Sequence, residues 1–218
     1  MDIDRIQTLL DSQDSQDRRK AVQALKNYDA DLAIPLLRSK MHDRDFLVRS
    51  FVAMGLGKKQ TAESFAALLE MVKFDRDPNV RAEAANSLSL FGQVAAFHLV
   101  QIFYQDQHWL VRRSILAALF ELNCPEELFE SCVCGIQGED LTVRENSIVG
   151  LGFLANSVKQ KEALAQLLPL VNADYWRTRL QVAKALGQFQ AAEAREALKQ
   201  LREDEDHRVV GAALESFV

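Results

Sequence analysis

The chain has 218 residues, 26 Lys plus Arg against 31 Asp plus Glu, a formal charge of -5, and few glycines (9) or prolines (4). An acidic balance argues against a nucleic-acid partner, because a phosphate-tracking surface carries a basic excess. Three cysteines are too few for a disulfide framework, no run reaches the length of a membrane span, and the opening MDIDRIQTLLDSQ lacks a signal-peptide core, so a cytoplasmic protein is expected.

Apolar residues recur at helical spacing along the whole chain, in paired stretches. The first stretch of each pair begins near Asp2, Asp31, Ala62, Gln93, Pro125, Ser157 and Ala191, and the second near Asp14, Asp45, Asp77, His108, Asp140, Tyr175 and Asp206. In the third pair, Phe65, Leu68, Leu69 and Val72 stand at i, i+3, i+4 and i+7, the spacing of one helix face. Asp75-Arg76-Asp77-Pro78 then breaks the pattern. Asp77 suits a cap and Pro78 the first turn of a new helix, which carries Val80, Ala84, Ala85, Leu88 and Phe91 and ends at Gly92 as its C-terminal cap. In the sixth pair the first helix is expected to run from Ser157 to Val171 with a kink at Pro169.

One phrase recurs in every second helix: an acidic residue, a basic one four positions on, then apolar residues. The basic position falls at Arg18, Arg49, Arg81, Arg112, Arg144, Arg179 and, with the arginine replaced, Val210, in steps of 31, 32, 31, 32, 35 and 31. A period near 32 means stacked supersecondary units rather than one globular core. The expected fold is all-α, an α-solenoid of seven helical hairpins. It forms one domain over 1–218, with repeats at about 1–30, 31–60, 61–92, 93–123, 124–156, 157–189 and 190–218.

The acidic turn, the Val48-Arg49, Val80-Arg81, Val111-Arg112 and Val143-Arg144 pairs and the Ala/Leu spacing after them resemble the HEAT repeat, in the short variant called the PBS lyase HEAT-like repeat. The resemblance covers essentially the whole chain. It implies a superhelical scaffold whose second helices line a concave face. The short variant is common in cyanobacteria, where it includes bilin lyase subunits, phycobilisome-degradation factors and adaptors without catalysis. The implied function is a protein-binding scaffold in antenna or cofactor assembly, its partner a phycobiliprotein or an assembly factor. The alternatives are a bilin (phycocyanobilin) lyase subunit or chaperone, and an iron–sulfur assembly partner. His108 and Tyr175 stand where other repeats have Asp, so their turns are expected to lack the usual contacts.

The arginines admit two readings. Asp14/Arg18, Asp45/Arg49, Asp77/Arg81 and Asp140/Arg144 have i, i+4 spacing with the acid leading, which suits a ladder stitching repeats together. Alternatively Arg49, Arg81, Arg112, Arg144 and Arg179 line a groove for an acidic ligand. Three positions before each arginine lies the series Ser15, Phe46, Pro78, Trp109, Leu141, Trp176 and His207, which holds both tryptophans of the chain. Phe46, Trp109, Leu141 and Trp176 read either as staples onto the preceding chain or as an apolar ridge for a partner helix. Phe51 and Met54, where other repeats carry mostly small or polar residues, read either as packed against an adjacent loop or as an extension of that ridge.

Cys132 and Cys134 sit at i and i+2 on one helix and so point roughly 200° apart, which does not suit a shared metal ion. Cys124, Cys132 and Cys134 read as small buried hydrophobes, with bilin attachment the minority reading. His42, His98, His108 and His207 are scattered, and no nucleophile elbow or phosphate loop is present. No catalytic, metal or cofactor residues are assigned.

Overall fold

Acidic caps start most of the second helices. The computed structural model describes residues 1–216. Asp14, Asp45, Asp77, Asp140 and Asp206 each accept a hydrogen bond from a backbone N–H of the first turn that follows. Such donors have no partner inside the helix, and one cap stabilises its helix by about 1 kcal/mol. His108 does the same through Nδ1, which accepts from Leu110 N–H at 3.2 Å, whereas Tyr175 makes no side-chain cap. The expected loss of turn contacts is therefore found at Tyr175 and not at His108.

Fourteen α-helices result among the described residues, with no strand. The first unit carries α1 (Ile3–Leu10), α2 (Ser15–Ala24), α3 (Ala30–Arg38), α4 (Phe46–Gly57), α5 (Ala62–Phe74), α6 (Pro78–Ser89), α7 (Ala96–Gln105) and most of α8 (Trp109–Glu121). The second carries α9 (Pro125–Gln137), α10 (Leu141–Phe153), α11 (Gln160–Leu167), α12 (Trp176–Leu186), α13 (Ala192–Leu201) and α14 (His207–Glu215). The units divide as Met1–Ala118 and Leu119–Val218.

Within the first unit α1 packs on α2, α3 on α4 and α5 on α6. The second helices α2, α4 and α6 lie side by side as one layer, and α3, α5 and α7 touch in the other. Within the second unit α9 packs on α10, α11 on α12 and α13 on α14, while α10, α12 and α14 form the second-helix layer. This is the all-α, stacked-hairpin solenoid architecture expected from the repeat. Leu25, Leu56, Leu68, Leu88 and Phe103 are fully buried between the layers of the first unit, and Ile148, Leu151, Leu186 and Val209 in the second. Each such side chain stabilises the stack by roughly 1.5–3 kcal/mol.

Neighbouring second helices approach closely where glycine stands eight residues after the arginine. A Cβ on Gly57 would lie 2.8 Å from Ser87 Cβ, and one on Gly152 would lie 3.0 Å from Ala185 Cα. Phe120 occupies the same register after Arg112, and its ring stacks on Phe153 with centroids 3.8 Å apart.

Three local expectations are corrected. The buried stripe of α5 is Ala67, Leu68, Met71 and Val72, with Phe65 and Leu69 at its half-buried edge. Phe65 is held there edge-on by Phe91 and His98. α6 ends at Ser89, and Gly92 lies beyond its cap with φ 77°, opening a 3-10 segment. The sixth pair has no single kinked helix. α11 is eight residues long, between 3-10 segments Leu154–Asn156 and Leu168–Asn172. Pro169 cannot donate the i→i−4 bond that would continue α11, and the tighter turn takes over.

Candidate functional site

Arg18, Arg49, Arg81 and Arg179 each reach past their own turn to the next. Arg18 Nε and Nη2 donate to Asp43 at 2.7 and 2.9 Å, and Arg49 reaches Asp75 with the same two distances. Arg81 reaches Asp106 at 2.6 and 3.2 Å, and Arg179 reaches Asp204 at 2.7 and 2.9 Å. The remaining Nη1 donates to a carbonyl six residues back, as from Arg49 to Asp43. Both oxygens of each acid are used, because Oδ1 also accepts the backbone N–H of the cap residue two positions on. The expected i, i+4 pairs within a turn are therefore corrected. Asp14, Asp45, Asp77 and Asp140 are turned into their own helices as caps, and the arginines extend the other way.

These ion pairs are largely buried, and both partners make further hydrogen bonds. Arg179 hydrogen-bonds the Asp204 carboxyl and holds it below the usual carboxylate range. Burial pushes the Asp43 carboxyl up, but the Arg18 hydrogen bond and the Asp45 N–H outweigh it and hold it low. Arg49 and Arg179 are buried, and Arg81, Arg112 and Arg144 are half-buried, with donors turned onto this chain, an arrangement that suits the ladder rather than a groove for an acidic ligand.

The acids of the ladder were legible as the spacing D-x-D in Asp43-Arg44-Asp45, Asp75-Arg76-Asp77 and Asp204-Glu205-Asp206, and sequence reasoning missed them. The same register holds Gly138 and Ala173 in the fifth and sixth repeats. Arg112 accordingly donates to the Phe103 and Asp106 carbonyls and lies over the Phe103 ring at 5.2 Å. Arg144 donates from Nη2 to the Gly138 carbonyl, and its Nε is buried without a partner. Ala173 has φ -62° and ψ 140°, close to the -65° and 134° of Asp75. Ala173→Asp should therefore supply the missing carboxylate to Arg144 and the Tyr175 N–H. We expect a gain of ~1–2 kcal/mol, readable as a melting temperature several degrees higher. An unchanged melting temperature would show that Arg144 is satisfied some other way.

The other register position behaves as a surface. Ser15, Phe46, Pro78, Trp109, Leu141, Trp176 and His207 are each the first residue of a second helix. Phe46 and Trp109 are both 39% exposed and Leu141 is 44% exposed. The His108 ring stacks beside Trp109 at 5.9 Å. Trp176 differs from these: the Arg208 guanidinium lies 3.3 Å from its ring centroid and half-buries it. The exposed apolar members of the series are thus Phe46 and Trp109 in the first unit and Leu141 in the second.

Phe51 and Met54 face outward from the second-helix layer. With Lys20, Gln23, Lys26 and Lys58 they line an open cavity of about 470 Å³ between α2 and α4. The lysines carried no sequence signal, because the groove joins residues one repeat apart.

Cys132 is fully buried, its Sγ directed at Gly150, and burial pushes its thiol well up. Cys124 is also buried and pushed up by burial and by Glu127 and Glu126, while Cys134 is half-buried. Among the described residues no three His, Cys, Asp or Glu side chains form a group that could hold a metal ion. No helix of the described residues is long and apolar enough to cross a membrane.

HEAT repeats match residues 3–73, 34–120 and 135–217. The chain belongs to the HEAT-repeat family. Among curated relatives of this HEAT chain is deoxyhypusine hydroxylase-B of Oryza sativa subsp. japonica, 32% identical over 117 residues. That match takes in 53% of this chain and 39% of the rice protein, so the chain spans about two fifths of that relative. Among solved structures, the complex of CpcE and CpcF of phycocyanin lyase from a Nostoc species is 18% identical with a TM-score of 0.54, covering 100% of this chain and 87% of that one. Human deoxyhypusine hydroxylase in complex with glycerol is 19% identical with a TM-score of 0.50, covering 98% and 94%. At these identities the likeness is one of fold.

Proposed function

We propose that this HEAT chain is a non-enzymatic scaffold that holds another protein along its second-helix layer. The supporting observation is that bulky apolar residues are left exposed at the first helical position in each unit, Phe46 and Trp109 in the first and Leu141 in the second. That position needs nothing apolar for the helix to form, and aromatic side chains are the usual anchors of interfaces. By family resemblance the partner is a phycobiliprotein or an assembly factor in a cyanobacterial cytoplasm.

A second reading, a bilin lyase subunit, follows from the repeat type and from the name of the phycocyanin lyase complex that shares the fold. Cys134, half-buried where Cys124 and Cys132 are buried, is the thiol best placed to meet a bilin. The match to the rice hydroxylase covers too little of that protein to contribute more than the repeat.

One experiment tests both. The tagged chain is expressed in its source organism, and the captured protein is quantified against a Phe46→Ala, Trp109→Ala double variant. Loss of two exposed anchors should reduce capture at least tenfold, a difference of about 1.4 kcal/mol or more, with the melting temperature unchanged. Equal capture by the variant would end the scaffold reading. Visible absorbance that depends on Cys134 would move the assignment to the lyase.

A further inference from the structure

The chain carries a net charge of -5, yet the groove between α2 and α4 is lined by Lys20, Lys26 and Lys58 and by no carboxylate. All three lysines are exposed. Lys20 has one loose contact, to Asp17 at 3.6 Å, and among the described residues Lys26 and Lys58 have no ion pair. Phe51 and Met54 form an apolar strip among them, with Met54 38% exposed. Ammonium groups flanking an apolar strip between two packed helices complement an amphipathic segment of opposite charge.

We propose that this groove docks an acidic amphipathic helix of a partner protein, its apolar face on Phe51 and Met54 and its carboxylates on the three lysines. The proposal rests on the scaffold reading and names the chemistry of the partner. Lys20 sits on α2 and Lys58 directly follows α4 as its C-cap, so a segment lying along the groove meets ammonium groups from both walls. Attraction between exposed charges is screened by salt, and binding should weaken as ionic strength rises.

The test uses the whole chain and a synthetic helical peptide carrying a leucine stripe flanked by glutamates. Its controls are a glutamine twin, a lysine twin and a single-stranded oligonucleotide, each followed by fluorescence anisotropy. The glutamate peptide should bind, with the glutamine twin at least tenfold weaker and the lysine twin not binding. Lys20→Glu with Lys58→Glu should lose at least tenfold, while thermal melting confirms the fold. Should that pair not fold, Lys58→Gln alone should still weaken binding measurably. Equal binding of the glutamate and glutamine peptides, indifference to the lysine changes, or preference for the oligonucleotide would overturn the proposal. Any of these results beside a preserved Phe46 and Trp109 effect on capture would remove the groove assignment alone. Loss of both effects would remove the scaffold reading too.

Discussion

Asp75→Ala is expected to destabilise the first unit by ~3–5 kcal/mol, the cost of leaving a buried charge without its partner. Arg49 is 3% exposed and gives Nε and Nη2 to that one carboxylate. The Asp77 N–H loses its acceptor in the same change. Against a total stability of ~5–15 kcal/mol, the loss should be plain in a urea titration monitored by helix content. Asp75→Asn keeps an acceptor for the backbone and should cost less. Asp11→Ala is the control: that carboxylate meets Lys40 at 3.0 Å but is largely exposed, so its removal should cost under ~1 kcal/mol. Equal effects of the Asp75 and Asp11 changes would show that the ladder contributes no stability.

Acid should reproduce part of this effect. The Asp43 and Asp204 carboxyls are held low in the folded chain. Their stabilisation is therefore complete above the unfolded aspartate value of about 3.9 and is lost as pH falls through it toward the folded values.

Gly152→Val is expected to cost ~1–3 kcal/mol or more, because the atom in its way is backbone. A Cβ at Gly152 would stand 3.0 Å from Ala185 Cα and 3.1 Å from Ala185 Cβ. A clash with a long side chain relaxes by rotation, whereas this one requires α10 and α12 to move apart over the buried Leu151 and Leu186. Gly211→Ala provides the contrast. Nothing lies within 4 Å of a Cβ there, and alanine inside α14 should be neutral or stabilise by ~0.5–1 kcal/mol. Thermal melts of the two variants should separate clearly. A Gly152→Val melt matching that of the unmodified chain would mean that the helices are not in close contact.

Features that depend on near neighbours along the chain were readable from residue order. Asp45 and Asp77 cap the helices they precede because the bond spans only two or three residues. The period near 32 followed from the recurring caps, and with it the seven hairpins and the place of Phe46, Trp109, Leu141 and Trp176 at the first helical turn. Tertiary structure decided what those residues touch. Arg49 is twenty-six residues from Asp75, and only stacking of the hairpins brings the two together. Trp109 and Trp176 share one register, but Arg208 of the next repeat covers the second and leaves the first exposed. Lys20 and Lys58 meet Phe51 and Met54 in one groove only because α2 lies against α4. Short-range hydrogen bonds and helical periodicity are written in residue order; burial, ion pairing and the make-up of a surface are set by which repeats lie side by side.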